Sequence, residues 1–74
     1  MRAISSDTFI RALTRAGFVV YRQAPLATIL ERGTRAVVVP DRARLPADVL
    51  SDLRRMAGLT WREVEALLGD PGPP

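Results

Sequence analysis

The sequence predicts a single α+β domain in the order helix, three strands, helix, short helix. Three observations carry that reading: apolar residues recur at helical spacing at both ends, the middle is rich in β-branched residues, and Gly33-Thr34 divides that middle. Seventy-four residues leave room for one domain, assigned here to residues 1–69 with a disordered Pro/Gly tail over 70–74. A chain this short buries little surface per residue, so its stability margin is narrow.

Met1 to Ile4 reads as a lead-in. Ser5 or Ser6 can cap the first helix, because a short hydroxyl accepts from unpaired first-turn amides, and Asp7 suits the positive end of the dipole. Phe9, Ile10, Leu13 and Ala16 form the apolar face of a helix over 5–16, ended by Gly17 with Phe18 folding back. Residues 18–22, FVVYR, read as strand one; Pro25 interrupts the chain beyond it. Strands over 28–32 and 35–39 flank Gly33-Thr34, which is most simply an antiparallel hairpin closed by Pro40. Pro46 suits the first position of helix two, whose apolar stripe is Val49, Leu50, Leu53, Met56 and Ala57, with Gly58 at its end. Thr60 and Glu63 match a capping box for a short helix bearing Trp61, Val64, Leu67 and Leu68. Two helices can cover one face of a three-stranded sheet and leave the other to solvent or a partner.

Composition narrows the chemistry. There is no cysteine and no histidine, so thiolate metal sites, disulfides and imidazole acid–base catalysis are all outside this chain's means. No nucleophile–base pair, phosphate-cradling loop or metal-ligand cluster is visible, and no cofactor or metal is expected. All eleven basic residues are arginine, giving a net charge of +3. Arginine's planar donor fork suits phosphates, although all-arginine usage equally follows from a GC-rich genome. No apolar run approaches the roughly 18 residues needed to span a bilayer, and no signal peptide is visible, so the chain reads as cytoplasmic.

A set of short markers carries a resemblance: Gly17-Phe18, Arg22-Gln23, Val37-Val-Val-Pro40, Leu45-Pro46, then Ala57-Gly58-Leu59-Thr60 with Glu63 and Leu67-Leu68. In this order and spacing the chain resembles the HicA (YcfA-like) mRNA interferases of bacterial toxin–antitoxin systems. The resemblance covers nearly the whole predicted domain and implies a fold like that of double-stranded-RNA-binding domains. In that family a Gly-Ser-His or Gly-Gly-His run carries the catalytic histidine between strands one and two. Counting forward from Gly17-Phe18, that run falls on Pro25-Leu26-Ala27, so Ala27 stands at the histidine position. A second histidine often follows strand three; here Pro40 is followed by Asp41-Arg42. Alanine can neither take nor give a proton, and general acid–base help is worth roughly 10²–10⁴ in rate. The expectation is a pseudo-enzyme that retains binding surfaces, with a purely structural domain as the alternative. The altered neighbours Pro25 and Leu26 favour natural divergence over a single designed change.

Two surfaces are candidates. Arg22, Arg32, Arg35, Arg42 and Arg44 could form a phosphate-contacting RNA patch, or simply a solvated rim. Leu26, Ala27, Ile29 and Leu30 make the former catalytic region apolar, which suits a protein interface; the family's HicB-type antitoxins cover that site, and self-association is equally open. A reading from another class also stands: residues 46–68, with Gly58 in a turn and Thr60 starting the next helix, are similar to a DNA-binding helix-turn-helix.

Overall fold

The computed structural model describes residues 4–69; the tail expected over 70–74 lies outside them. The elements are α1 (Ser6–Arg15), β1 (Val19–Ala24), β2 (Ala27–Arg32), β3 (Arg35–Pro40), α2 (Ala47–Ala57) and α3 (Trp61–Leu68). The strands form one antiparallel sheet in the order β1-β2-β3, so the domain is α+β with a simple meander.

Two-residue turns make both hairpins. Gly33 has a φ of 61° and Thr34 a negative φ, the pattern of a type II′ turn, whose twist matches that of the strands it joins. Pro25 and Leu26 connect β1 to β2 without any positive φ. Pro25 therefore does not break the sheet; its fixed φ starts the turn, so β1 runs on to Ala24 and β2 begins at Ala27.

Side-chain alternation sorts the sheet into two faces. Leu30 lies opposite Val37, and both are fully buried with Val39 against Phe9, Leu13, Leu50 and Leu53. Helix α2 packs on β3, while α1 packs on the sheet and against α3, so the helices cover the Leu30–Val37–Val39 face. Both longer helices end alike. Gly17 and Gly58 take φ of 95° and 73°, and the residues after them, Phe18 and Leu59, donate back to Leu13 and Arg54 while burying their side chains.

Four further expectations need correction. Ile4 is not lead-in: it is buried and bridges to Leu45, closing the core where the chain enters α1. Pro46 is the N-cap residue with an extended backbone, one position before the helix. Met56 is exposed, because α2 turns it away from the sheet. Ser5 alone caps α1, accepting from the Thr8 amide, whereas Ser6 is buried and does something else. Its amide donates to the Arg42 carbonyl (3.0 Å), and its hydroxyl bonds to the Pro40 carbonyl and accepts from the Arg42 amide (2.7 Å). Ser6 thus ties the start of α1 to the end of β3.

Helix α3 starts with the full capping box: the Thr60 hydroxyl accepts from the Glu63 amide, and the Glu63 carboxylate accepts from the Thr60 amide at 2.8 Å. The donated amide bond holds the Glu63 carboxyl below its ordinary pKa; the Thr60 hydroxyl and the nearby Arg32 charge act in the same direction, against a smaller desolvation effect. A depressed folded-state pKa stabilises the fold above the unfolded value near 4.3 and loses that contribution as pH falls through the folded value. The melting temperature is therefore expected to decline on the acid side in part through Glu63. Glu63→Gln keeps an acceptor but cannot ionise, so its melting temperature should approach that of the parent as pH falls. A gap between the two that stays constant from pH 7 to pH 3 would contradict this.

Candidate functional site

The face of the sheet turned away from the helices is uncovered. Register and alternation place Val19, Arg22, Ala24 and Ala27 on it, together with Ile29, Glu31, Ala36 and Val38. Val19 is 68 % exposed, Val38 47 % and Tyr21 66 %, while Ile29 and Ala27 are half-buried between their strand neighbours. Leu26, at the tip of the adjoining turn, is 82 % exposed. Monomeric soluble proteins seldom leave so many large apolar groups together in water unless something covers them.

Tyr21 reaches this region through a bulge. The register between β1 and β2 slips between Val20 and Arg22, making Tyr21 the extra residue, and a shallow depression joins it to Val19 and Glu31. A tyrosine on a strand is more often half-buried packing than a platform for a base; a bulge on an edge strand has no marker in residue types, and the ring is exposed instead.

The four residues expected to meet a partner divide by face. Leu26, Ala27 and Ile29 remain available. Leu30 does not: alternation turns it into the core, where its exposure is 0 %. Val19 and Val38 are the exposed apolar side chains that share the open face with Ala27 and Ile29. The signal for Val38 lay in the run Val37-Val38-Val39, since three consecutive valines on a strand cannot all face one side.

The five arginines do not come together. Arg32 and Arg35 pair across the Gly33-Thr34 turn on the helix side, at one end of the sheet. Arg42 and Arg44 follow β3 at the other end, about 17 Å away along a six-residue strand. Arg22 sits on the open face between them. Moreover, Arg32 and Arg35 are already engaged. The Arg32 guanidinium donates to the Ala16 carbonyl at 2.6 Å and stacks 4.9 Å from the Phe18 ring centroid, at the carbonyl end of α1. Arg35 reaches the Met56 carbonyl at 3.4 Å, at the carbonyl end of α2. A cation there offsets the helix dipole. Directly opposed like charges would otherwise weaken a sheet; here each arginine leans toward a different helix. Gly58 makes room for Arg35, since a Cβ at that glycine would lie 2.5 Å from the guanidinium carbon.

The α2–α3 corner is likewise knit internally. Arg54 donates to the Leu59 carbonyl at 2.9 Å and stacks 4.9 Å from the Trp61 ring centroid. The exposed residues of α3 include Arg62, Glu63 and Glu65, so carboxylates accompany its one arginine.

Ala27 begins β2 on the open face, opposite Ala24 on one side and Pro40 on the other. The charged side chains that the strands place on this face are Arg22 and Glu31, with the Tyr21 phenol at the bulge. Among the described residues no group of three or more Asp and Glu side chains is disposed to hold a metal ion. No described helix is long and apolar enough to cross a membrane. No protein-family model matches the chain, and no curated protein is significantly similar to it.

Proposed function

We propose that this chain is a HicA-like domain without ribonuclease chemistry, built on a double-stranded-RNA-binding-like arrangement, and that its helix-free sheet face receives a protein partner. The observation that supports this most is the setting of Ala27. At the position where the resemblance would put an imidazole, a methyl group lies in a face made of Val19, Tyr21, Ile29 and Val38. No histidine stands on that face, and a methyl group can neither take nor give a proton.

RNA is the less favoured occupant. Binding through phosphates needs several cations acting together, and the face offers one, Arg22, with Glu31 on the neighbouring strand two residues along. Arg32 and Arg35 are engaged with helix ends, and Arg42 and Arg44 lie beyond the opposite rim. In the family an antitoxin covers the corresponding surface; here the chemistry asks for an apolar partner of no strong charge. The helix-turn-helix reading of residues 46–68 gains no support from α3, whose carboxylates would face DNA phosphate.

End-labelled RNA incubated with purified protein is expected to remain intact, and fluorescence anisotropy at 50 mM salt should detect no complex below about 1 μM, within the range of non-specific phosphate binding. Cleavage that co-elutes with the folded protein would overturn the proposal. So would submicromolar RNA binding that Arg22→Ala abolishes. Cleavage gained by Ala27→His alone would place the family's chemistry on this scaffold and strengthen the resemblance.

A further inference from the structure

We propose that the occupant of the open face is a second copy of this chain, with two sheets packed face to face about a two-fold axis. This deepens the reading above and rests on it only for the use of the face in protein contact.

An isologous interface requires a patch that complements itself. The apolar part does so by nature: Ile29 is flanked in register by Arg22 and Val38, and Val19 lies one row further along beside Glu31. The charged part does so by arrangement. Arg22 and Glu31 have opposite signs, stand on neighbouring strands two residues apart in register, and are not within ion-pair distance of each other; the ion pair found among the described residues is Asp52–Arg55 at 3.1 Å. An axis lying between the sheets turns Arg22 of each copy toward Glu31 of the other. The face is then neutral although the chain carries +3, which matches a copy of itself better than a polyanion.

The β1 edge of the sheet is a poorer contact than its face. The Tyr21 bulge disturbs the outer strand where another strand would have to add, as bulges do on protected edges. Face packing at about 10 Å needs no free edge. Its size predicts its strength. Three strands about 4.8 Å apart and about 20 Å long give a footprint of roughly 300 Å², well under the roughly 800 Å² per partner of a standard interface. Even with Leu26 overhanging the rim, the dimer should be weak, dissociating in the micromolar range.

Sedimentation velocity of the full chain between 5 and 500 μM tests this. The weight-average mass should rise from that of a monomer toward twice that value. Arg22→Glu and Glu31→Arg should each move the midpoint at least about tenfold higher in concentration, and the two together should restore it. Both positions are exposed, so circular dichroism should find all three variants folded; Val38→Glu serves as a further monomerising change. A monomer at 500 μM, or a dimer indifferent to these swaps, would overturn the proposal. A monomer that leaves RNA intact defeats this inference alone; RNA cleavage defeats the reading it rests on, whatever the mass.

Discussion

Leu30→Ala is expected to destabilise the domain by about 3 kcal/mol, whereas Ile29→Ala, one residue away, should cost about 1 kcal/mol or less. Leu30 is fully buried against Val37 and the helices, so truncation leaves a hole that neighbours on both sides are too well packed to fill. Ile29 lies on the open face and gives up methyl groups already partly in contact with water. For 74 residues, total stability is on the order of 4–11 kcal/mol, so the first loss removes a large share of it. Urea denaturation should show a large fall in midpoint for Leu30→Ala and a small one for Ile29→Ala, with the slope unchanged. Equal costs would mean that the helices do not lie where the register puts them.

Ser6→Ala should be nearly as damaging, at about 2 kcal/mol, against about 1 kcal/mol for the cap variant Ser5→Ala. The substitution leaves the Arg42 amide and the Pro40 carbonyl without their protein partner in a part-buried site. A buried polar group left without a partner costs more than the average hydrogen bond contributes. Native-state hydrogen exchange offers a sharper readout: the Arg42 and Leu45 amides should lose protection in Ser6→Ala and keep it in Ser5→Ala. Matching losses in both variants would reduce Ser6 to an ordinary first-turn residue.

Those two serines show where sequence reasoning reaches its limit. Either hydroxyl can cap a helix, and nothing local distinguishes them, because the partner of Ser6 lies more than thirty residues away. What was legible depends on near neighbours: the Gly33-Thr34 turn, the glycines after α1 and α2, the Thr60–Glu63 box and the alternation of β2 and β3. What was not legible depends on contacts between distant segments. Ile4 is a lone apolar residue with no periodic companions, so its bridge to Leu45 leaves no trace in the pattern. Arg32 and Arg35 look like free charges until the ends of α1 and α2 are placed over them. The candidate face was half-visible for the same reason. Ala27 and Ile29 follow from counting, whereas the loss of Leu30 and the gain of Val19 and Val38 require the register.

The meander has a kinetic consequence. Each strand pairs only with its neighbour along the chain, across turns of two residues, so the sheet closes small loops at little entropic cost. Such hairpins form in microseconds, and chains dominated by local pairing cross their folding barrier quickly. The joining of Ile4 to Leu45 and of Ser6 to Arg42 is different, since it must gather some forty residues at once. Assembly should therefore begin in the valine-rich hairpin and finish with the N-terminal segment. Changes at Val37 would then slow folding, while changes at Ile4 would mainly hasten unfolding.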